Sequence, residues 1–188
     1  IRQIRPKDKN LELVHRLDRE TSGCIILAKK PSILKDLHEL LRNAQVEKTY
    51  LTLVKGQWPK HIRTIDAPLL KNQLQSGERM VSVHKEGKHA LTDFRVVERF
   101  KQATLMEAKP HTGRTHQIRV HALYAGHPIS GDEKYGDKAF NKEMKKFGCR
   151  RLFLHASALK FKLLDKTIAV KAELASDLQD CLHKMNHN

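Results

Sequence analysis

Segments with the pattern of β-strands follow one another at short intervals along this chain. Residues 80–83, 91–97 and 104–108 are three of them, and residues 85–88 have the composition of a hairpin turn joining the first two. Such intervals leave no room for a crossover helix, so neighbouring strands must pair antiparallel. Amphipathic patterns predict helices over residues 33–43 and 173–184, and a third that begins at Thr115. We therefore predict an α+β fold: a mixed, mostly antiparallel sheet with flanking helices.

Charge and length limit the partners that such a fold can serve. The chain has 188 residues and a formal net charge of +15, which suits one domain that binds a polyanion. Nucleic acid is favoured over a membrane, because no apolar run approaches the roughly 20 residues of a spanning helix. Its 3 cysteines lie far apart and suit a reducing compartment, so we expect a cytoplasmic protein without a disulfide framework.

Three polar segments contain the candidate functional residues. In the first, residues 15–23, an extended chain would point Arg16 and Asp18 to the same side. An arginine keeps a neighbouring carboxylate ionised, which suits a nucleophile or a base better than a general acid. The alternative is a surface ion pair beside a turn.

The second and third segments would supply cations and an aromatic ring. Arg114 stands at the start of the helix that we begin at Thr115, where backbone N–H groups favour anions. Arg119 lies one turn further on and could reach a carboxylate across a cleft. Tyr50, in a predicted strand, could stack on a base or exchange a proton, or it could simply lie half in the core.

Motifs for metals and nucleotide cofactors are missing. His116 and His121 are five residues apart, whereas a helical zinc pair needs a spacing of four. The sequence contains no CxxC pair, phosphate-binding loop or dinucleotide-binding glycine motif. We expect neither a metal nor a cofactor.

These segments, in this order, resemble the RluA/RluC family of RNA pseudouridine synthases. The resemblance rests on HRLDRETSG at 15–23, KTYLTLVKGQW at 48–58, TGRTHQIRVH at 112–121, GHPISGDEKYG at 126–136 and RLFLHASAL at 151–159. It covers nearly the whole chain from Leu11 onward. APLLKNQLQSGERMVSV at 67–83 and the GQW run are most similar to RluC-type members, which act on large-subunit ribosomal RNA.

The resemblance implies a pseudouridine synthase fold with a central active-site cleft and a role for each matching residue. Asp18 corresponds to the catalytic aspartate, and Arg119 to the arginine that pairs with it. Tyr50 corresponds to the tyrosine that packs on the uracil and is a candidate base for the C5 proton. Arg16 would enter the RNA and help to flip the target base, with Arg114 as a further RNA contact. Leu154 would form an apolar wall of the uracil pocket.

The expected function is thus isomerisation of uridines to pseudouridine in large-subunit ribosomal RNA, by a monomer. Two alternatives remain: the same chemistry on transfer RNA, and a non-catalytic RNA-binding module. Family members usually have a strand with an NKPxG-like motif before HRLD, and RluC-type proteins an upstream S4-like RNA-binding domain. Neither occurs in this sequence, so we expect residues 1–188 to form a catalytic domain alone. We also expect the basic segments 1–30 and 134–151 to border the cleft around Asp18.

Overall fold

A computed structural model describes residues 10–73 and 79–186 of the chain. The strands are β1 (Glu12–Leu13), β2 (Ser22–Gly23), β3 (Leu27–Ala28), β4 (Glu47–Lys55), β5 (Thr64–Asp66), β6 (Leu69–Gln73), β7 (Arg79–Val83), β8 (Leu91–Arg99), β9 (Ala103–Pro110), β10 (Leu154–Leu163) and β11 (Lys166–Lys171). The helices are α1 (Pro31–Arg42), α2 (Gln117–Tyr124), α3 (Lys138–Lys146) and α4 (Ser176–Asn186).

A seven-stranded sheet organises these elements. Six strands run in the order β11-β10-β4-β9-β8-β5, and every neighbouring pair in that row is antiparallel. The seventh, β2, pairs with β10 in parallel. Two small hairpin-like sheets, β1–β3 and β6–β7, lie outside it. This mixed, mostly antiparallel sheet with helices confirms the predicted α+β class.

The main core packs on the sheet around large apolar side chains. Trp58, Met106, Phe153 and Met144 are almost fully buried there, and residues from α2, α3 and α4 join the same cluster. A separate cluster packs α1 on β10 through Leu37 and Leu159. No helix within the described residues is long and apolar enough to cross a membrane.

The predicted hairpin over 80–97 is wrong. The turn itself forms, with Gly87 N donating to His84 O at 2.8 Å. However, β7 pairs with β6, whereas β8 pairs with β5 and β9. Burial of Val81 against Leu69 and Tyr135 outweighs the local turn signal, because the partner that buries the apolar face determines the pairing.

The structure also changes the start of α2 and the region before β10. Its N-cap is His116, not Thr115, and His116 has a left-handed backbone with φ 54°. No side chain caps α2. The Gln117 side chain instead holds the loop before the helix, since its Oε1 accepts hydrogen bonds from Arg114 N and the Thr112 hydroxyl. The basic stretch 131–151 contains a helix, α3, that its composition did not reveal. The N-cap of this helix is Asp137, whose carboxylate accepts a hydrogen bond from Phe140 N.

Candidate active site

One cavity of about 560 Å³ opens beside the sheet at the ends of β4 and β9. It is lined by Arg16, Asp18, Tyr50, Arg114, Arg119 and Leu154, which are the six residues singled out from the sequence. They come from a loop, two strands, the loop before α2, and α2 itself. The fold thus brings together, in one cavity, residues that are up to 138 positions apart in the sequence.

Asp18 lies in a loop that β2 fastens to the sheet. The loop closes on itself where Thr21 N donates to Asp18 O at 3.0 Å, and β2 then pairs with β10. Gly23 makes this approach possible: its φ is +109°, and a Cβ there would lie 2.2 Å from the carbonyl oxygen of Ala156. Any larger residue would push the Asp18 loop away from the sheet.

The same loop is held from the C-terminal part of the chain. Arg151 Nη1 donates to Glu20 O at 3.1 Å, and its Nη2 lies 3.3 Å from the Ser22 hydroxyl. The guanidinium also forms a bidentate pair with Asp177 of α4, at 2.6 and 3.0 Å. Strand β10 and helix α4 together therefore fix the position of the Asp18 loop.

Arg119 links Asp18 to a second, buried carboxylate. Its Nη1 lies 3.2 Å from Asp18 Oδ2, while its Nε and Nη2 bind the two oxygens of Asp132 at 2.7 and 2.9 Å. The Arg119 side chain is 11% exposed, that of Asp18 is 24% exposed, and that of Asp132 is fully buried. Asp132 thus orients the guanidinium, and Asp18 faces the cavity.

Asp132 is the site residue that the sequence reasoning missed. Its Oδ1 also accepts hydrogen bonds from Lys134 N and Tyr135 N, so the carboxylate is fully satisfied. The turn depends on Gly131, which has φ +74° and where a Cβ would lie 1.9 Å from the carbonyl oxygen of Arg151. An available signal was the GD pair in GHPISGDEKYG, a segment already matched to the family.

The charges of this cluster reinforce one another. Burial alone would lower the pKa of Arg119, but its hydrogen bonds to Asp132 and the charges of both aspartates hold that pKa above the usual value. Burial alone would raise the pKa of Asp132, yet the bonds from Arg119 and from two backbone amides keep it below its usual value. At neutral pH Arg119 and Asp132 are therefore both charged.

Tyr50 lies on β4, within electrostatic reach of the Asp18 carboxylate. Burial, followed by the charge of Asp18, raises the pKa of Tyr50 to about 12. The hydroxyl is therefore protonated at neutral pH, and the ring presents a mostly apolar surface to the cavity. Leu154 of β10 lies opposite Thr52 of β4. It is 4% exposed and closes the inner end of the cavity.

The two remaining predicted arginines stand at the rim. Arg16 and Arg114 are both exposed, and Arg114 is steadied by a hydrogen bond from its Nε to His89 O at 2.9 Å. None of residues 134–151 lines the cavity itself, so their border around the cleft stays a prediction. That segment supports the site from behind: the Tyr135 ring lies 5.0 Å from the Arg119 guanidinium carbon. Within segment 1–30, residues 1–9 lie outside the described residues.

His116, the N-cap of α2, and His121, within the helix, bind different partners. His116 Nδ1 lies 2.8 Å from the Tyr135 hydroxyl, and His121 is buried between Thr92 Oγ1 and Ala67 O. Over residues 10–73 and 79–186, no group of three or more His, Cys, Asp and Glu side chains is placed to hold a metal ion.

Comparison with known proteins places this arrangement in a family. A family described as RNA pseudouridylate synthase matches residues 2–124. Ribosomal large subunit pseudouridine synthase C of Yersinia pestis is 52% identical over 190 residues, covering 100% of this chain and 59% of that protein. The protein of the same name from Escherichia coli K12 is 51% identical, with 100% and 60% coverage. The chain therefore spans about three-fifths of the length of these relatives.

Solved structures agree with the sequence relatives. Human RNA pseudouridylate synthase domain containing 4 superposes with a TM-score of 0.80 at 27% identity, covering 98% of this chain and 80% of that one. Human RNA pseudouridylate synthase domain containing 1 also gives 0.80 at 27% identity, with 95% and 76% coverage. The fold, the family match over residues 2–124 and the relatives together show that this chain belongs to the RNA pseudouridylate synthase family.

Proposed function

We propose that this chain forms the catalytic part of an enzyme that isomerises uridines to pseudouridine in large-subunit ribosomal RNA. The observation that carries the proposal is the Asp18 carboxylate, held by Arg119 through Oδ2 and facing a cavity that has an aromatic and an apolar wall. The relatives named as ribosomal large subunit pseudouridine synthase C favour this RNA over transfer RNA.

Asp18 is the proposed reacting group. Arg119 donates to its Oδ2, which leaves Oδ1 to face the substrate. The reaction breaks the N1–C1′ bond of uridine and forms a C5–C1′ bond, with loss of the C5 proton and a proton gained at N1. Attack of Asp18 on C1′, attack on C6 and assistance of elimination to a glycal all use this position.

Tyr50 and Leu154 are proposed to retain the uracil while it turns. Tyr50 is protonated in the free enzyme, so it cannot take the C5 proton at the outset. If Asp18 forms a covalent bond, its charge is lost, and one of the causes that raise the pKa of Tyr50 disappears. Proton removal by Tyr50 would then follow attack by Asp18, in that order.

The rim arginines are proposed to bind the RNA and to replace the extruded base. A target uridine must leave its stack to reach Asp18, which costs a few kcal/mol. Arg16 and Arg114 are exposed at the opening and can offset this cost through phosphate contacts. All the proposed site residues come from one chain, so we propose a monomer, acting in the cytoplasm where ribosomal RNA is modified and without a metal or cofactor.

Release of tritium from RNA labelled at uridine C5 tests the proposal. The full chain should release tritium from large-subunit ribosomal RNA, and Asp18→Asn should reduce release to background while keeping the Arg119 contact through its amide oxygen. Asp180→Asn, an exposed aspartate on α4, is the matched control and should behave like the wild type. Equal release from Asp18→Asn would refute the catalytic assignment, and release from transfer RNA alone would refute the substrate.

A further inference from the structure

Lys48 is a half-buried cation in the cavity that the mechanism above does not use. It lies on β4, lines the same cavity as Asp18 and Tyr50, and is two residues before Tyr50 on the same face of the strand. Within residues 10–73 and 79–186 its ammonium makes no hydrogen bond and no ion pair. Removing a cation even partly from water without a partner is costly, so the position is explained if a ligand supplies the anion.

The surroundings of the ammonium group indicate its depth in the cavity. A Cβ at Gly113 would lie 3.6 Å from Lys48 Nζ, so the ammonium lies beside the loop at the one position that carries no side chain. Burial lowers the pKa of Lys48, and Lys48 in turn contributes to lowering the pKa of the cavity residue His15. Of the groups near the ammonium, neither the Gly113 backbone nor His15 neutralises its charge.

Strand β4 orders the cavity from its mouth to its floor. Exposure falls along the strand from Glu47, which is exposed, to Thr52, which is buried opposite Leu154. Lys48 precedes Tyr50 by about 7 Å at the rise of an extended chain, on the side of the mouth. A flipped nucleotide inserts its base towards the floor and keeps its sugar and phosphate towards the mouth. Lys48 therefore lies at the level of the backbone of the nucleotide, not of the uracil.

We propose that Lys48 binds a phosphate group flanking the target uridine and so positions the flipped nucleotide over Asp18. A lysine acts on phosphate as a compact positive charge, with no need for the planar fork of an arginine. This inference rests on the proposed function, because it takes a flipped uridine as the ligand. It assigns Lys48 a positioning role and no part in the exchange of bonds.

The test uses a stem–loop RNA with a single uridine that the wild-type chain is shown to modify. Lys48→Met keeps the length of the side chain and removes the charge, Lys48→Arg keeps the charge, and Lys171→Met removes an exposed lysine from the far edge strand β11. We expect Lys48→Met to raise KM about tenfold with kcat within twofold, since one charge-assisted contact is lost. Lys48→Arg should recover most of the affinity, and Lys171→Met should match the wild type.

Two further readouts separate a phosphate contact from a structural role. The slope of log Kd against log salt should fall in magnitude by about 0.7 in Lys48→Met, the value for one phosphate on a single strand. An RNA with a neutral methylphosphonate next to the target should weaken wild-type binding about tenfold but leave binding to Lys48→Met unchanged, because both changes remove the same contact.

Each opposite result overturns the proposal. A fall in kcat at unchanged KM would mean that Lys48 acts on the reacting uracil, and unchanged KM and kcat would mean that it has no ligand. Additive losses from Lys48→Met and the methylphosphonate would place the phosphate elsewhere. If the wild type modified no uridine, the proposed function would fail first. The salt slope of RNA binding by Lys48→Met against Lys171→Met would then still decide the phosphate contact.

Discussion

Replacing Asp132 by asparagine removes the negative charge that orients Arg119 from the side opposite Asp18. The amide keeps one acceptor oxygen, but it turns an NH₂ group towards a guanidinium that can only donate. Arg119 then depends on Asp18 alone, at 3.2 Å. We expect the guanidinium to move towards Asp18 and to occupy the carboxylate that the substrate needs.

The size of the effect follows from burial. Removing one partner of a buried ion pair costs about 3–5 kcal/mol, and the lower end applies here because Arg119 keeps a second carboxylate. For a chain of this size, about 3 kcal/mol corresponds to a fall in Tm of roughly 6–12 °C. A small displacement of a positioning group costs about 100-fold in turnover, and we expect a loss of that order in kcat.

Thermal unfolding and tritium release at a temperature well below the Tm measure the two effects separately. Asp177→Asn is the matched control for stability, because Asp177 also forms a bidentate pair with an arginine but is 52% exposed. Its loss should cost about 1 kcal/mol or less. Asp132→Asn with wild-type Tm and kcat would refute the reasoning, and a lowered Tm with unchanged kcat would reduce Asp132 to a structural residue.

Three other changes test the site and its support. Gly23→Ala should lower the free energy of unfolding in urea by about 2–4 kcal/mol, since it combines a disallowed backbone conformation with a clash against Ala156 O. A decrease below about 1 kcal/mol would show that β2 can shift freely. Tyr50→Phe should reduce tritium release by at least about 100-fold if the hydroxyl takes the C5 proton, whereas near-normal release would leave packing as its only role. The pKa of His121 lies below 6.5 through burial, so the unfolded chain binds more protons as the pH falls through 6.5. The free energy of unfolding should therefore fall between pH 7.5 and 5.5, and by less in His121→Gln.

The sequence predicted which residues lie together around the cavity better than it predicted the connections. Asp18 and Arg119 meet as expected because the family resemblance paired two residues that are 101 positions apart. Local spacing also predicted that β8 and β9 would pair, since a short turn leaves few choices of partner. The class of the fold followed from such short connections.

The errors share a physical cause, which is that local signals cannot identify distant partners. The 85–88 turn formed, but β7 paired with β6 because Val81 is buried with Tyr135 far along the chain. Asp132 was overlooked because its role depends on a guanidinium from another element. The N-cap of α2 was misplaced because the helix begins after His116, which has a left-handed backbone and no side-chain cap.

The parallel pairing of β2 with β10 has a consequence for synthesis of the chain. The Asp18 loop leaves the ribosome first, and its partner strand and Arg151 follow more than a hundred residues later. At about 5–20 residues per second, the loop waits for roughly 7–26 s before it can dock. The Asp18 loop therefore cannot take its place on the sheet until β10 and Arg151 have been synthesised. Loss of the residues from Arg151 onward would leave residues 15–23 intact in sequence but remove the contacts that position Asp18.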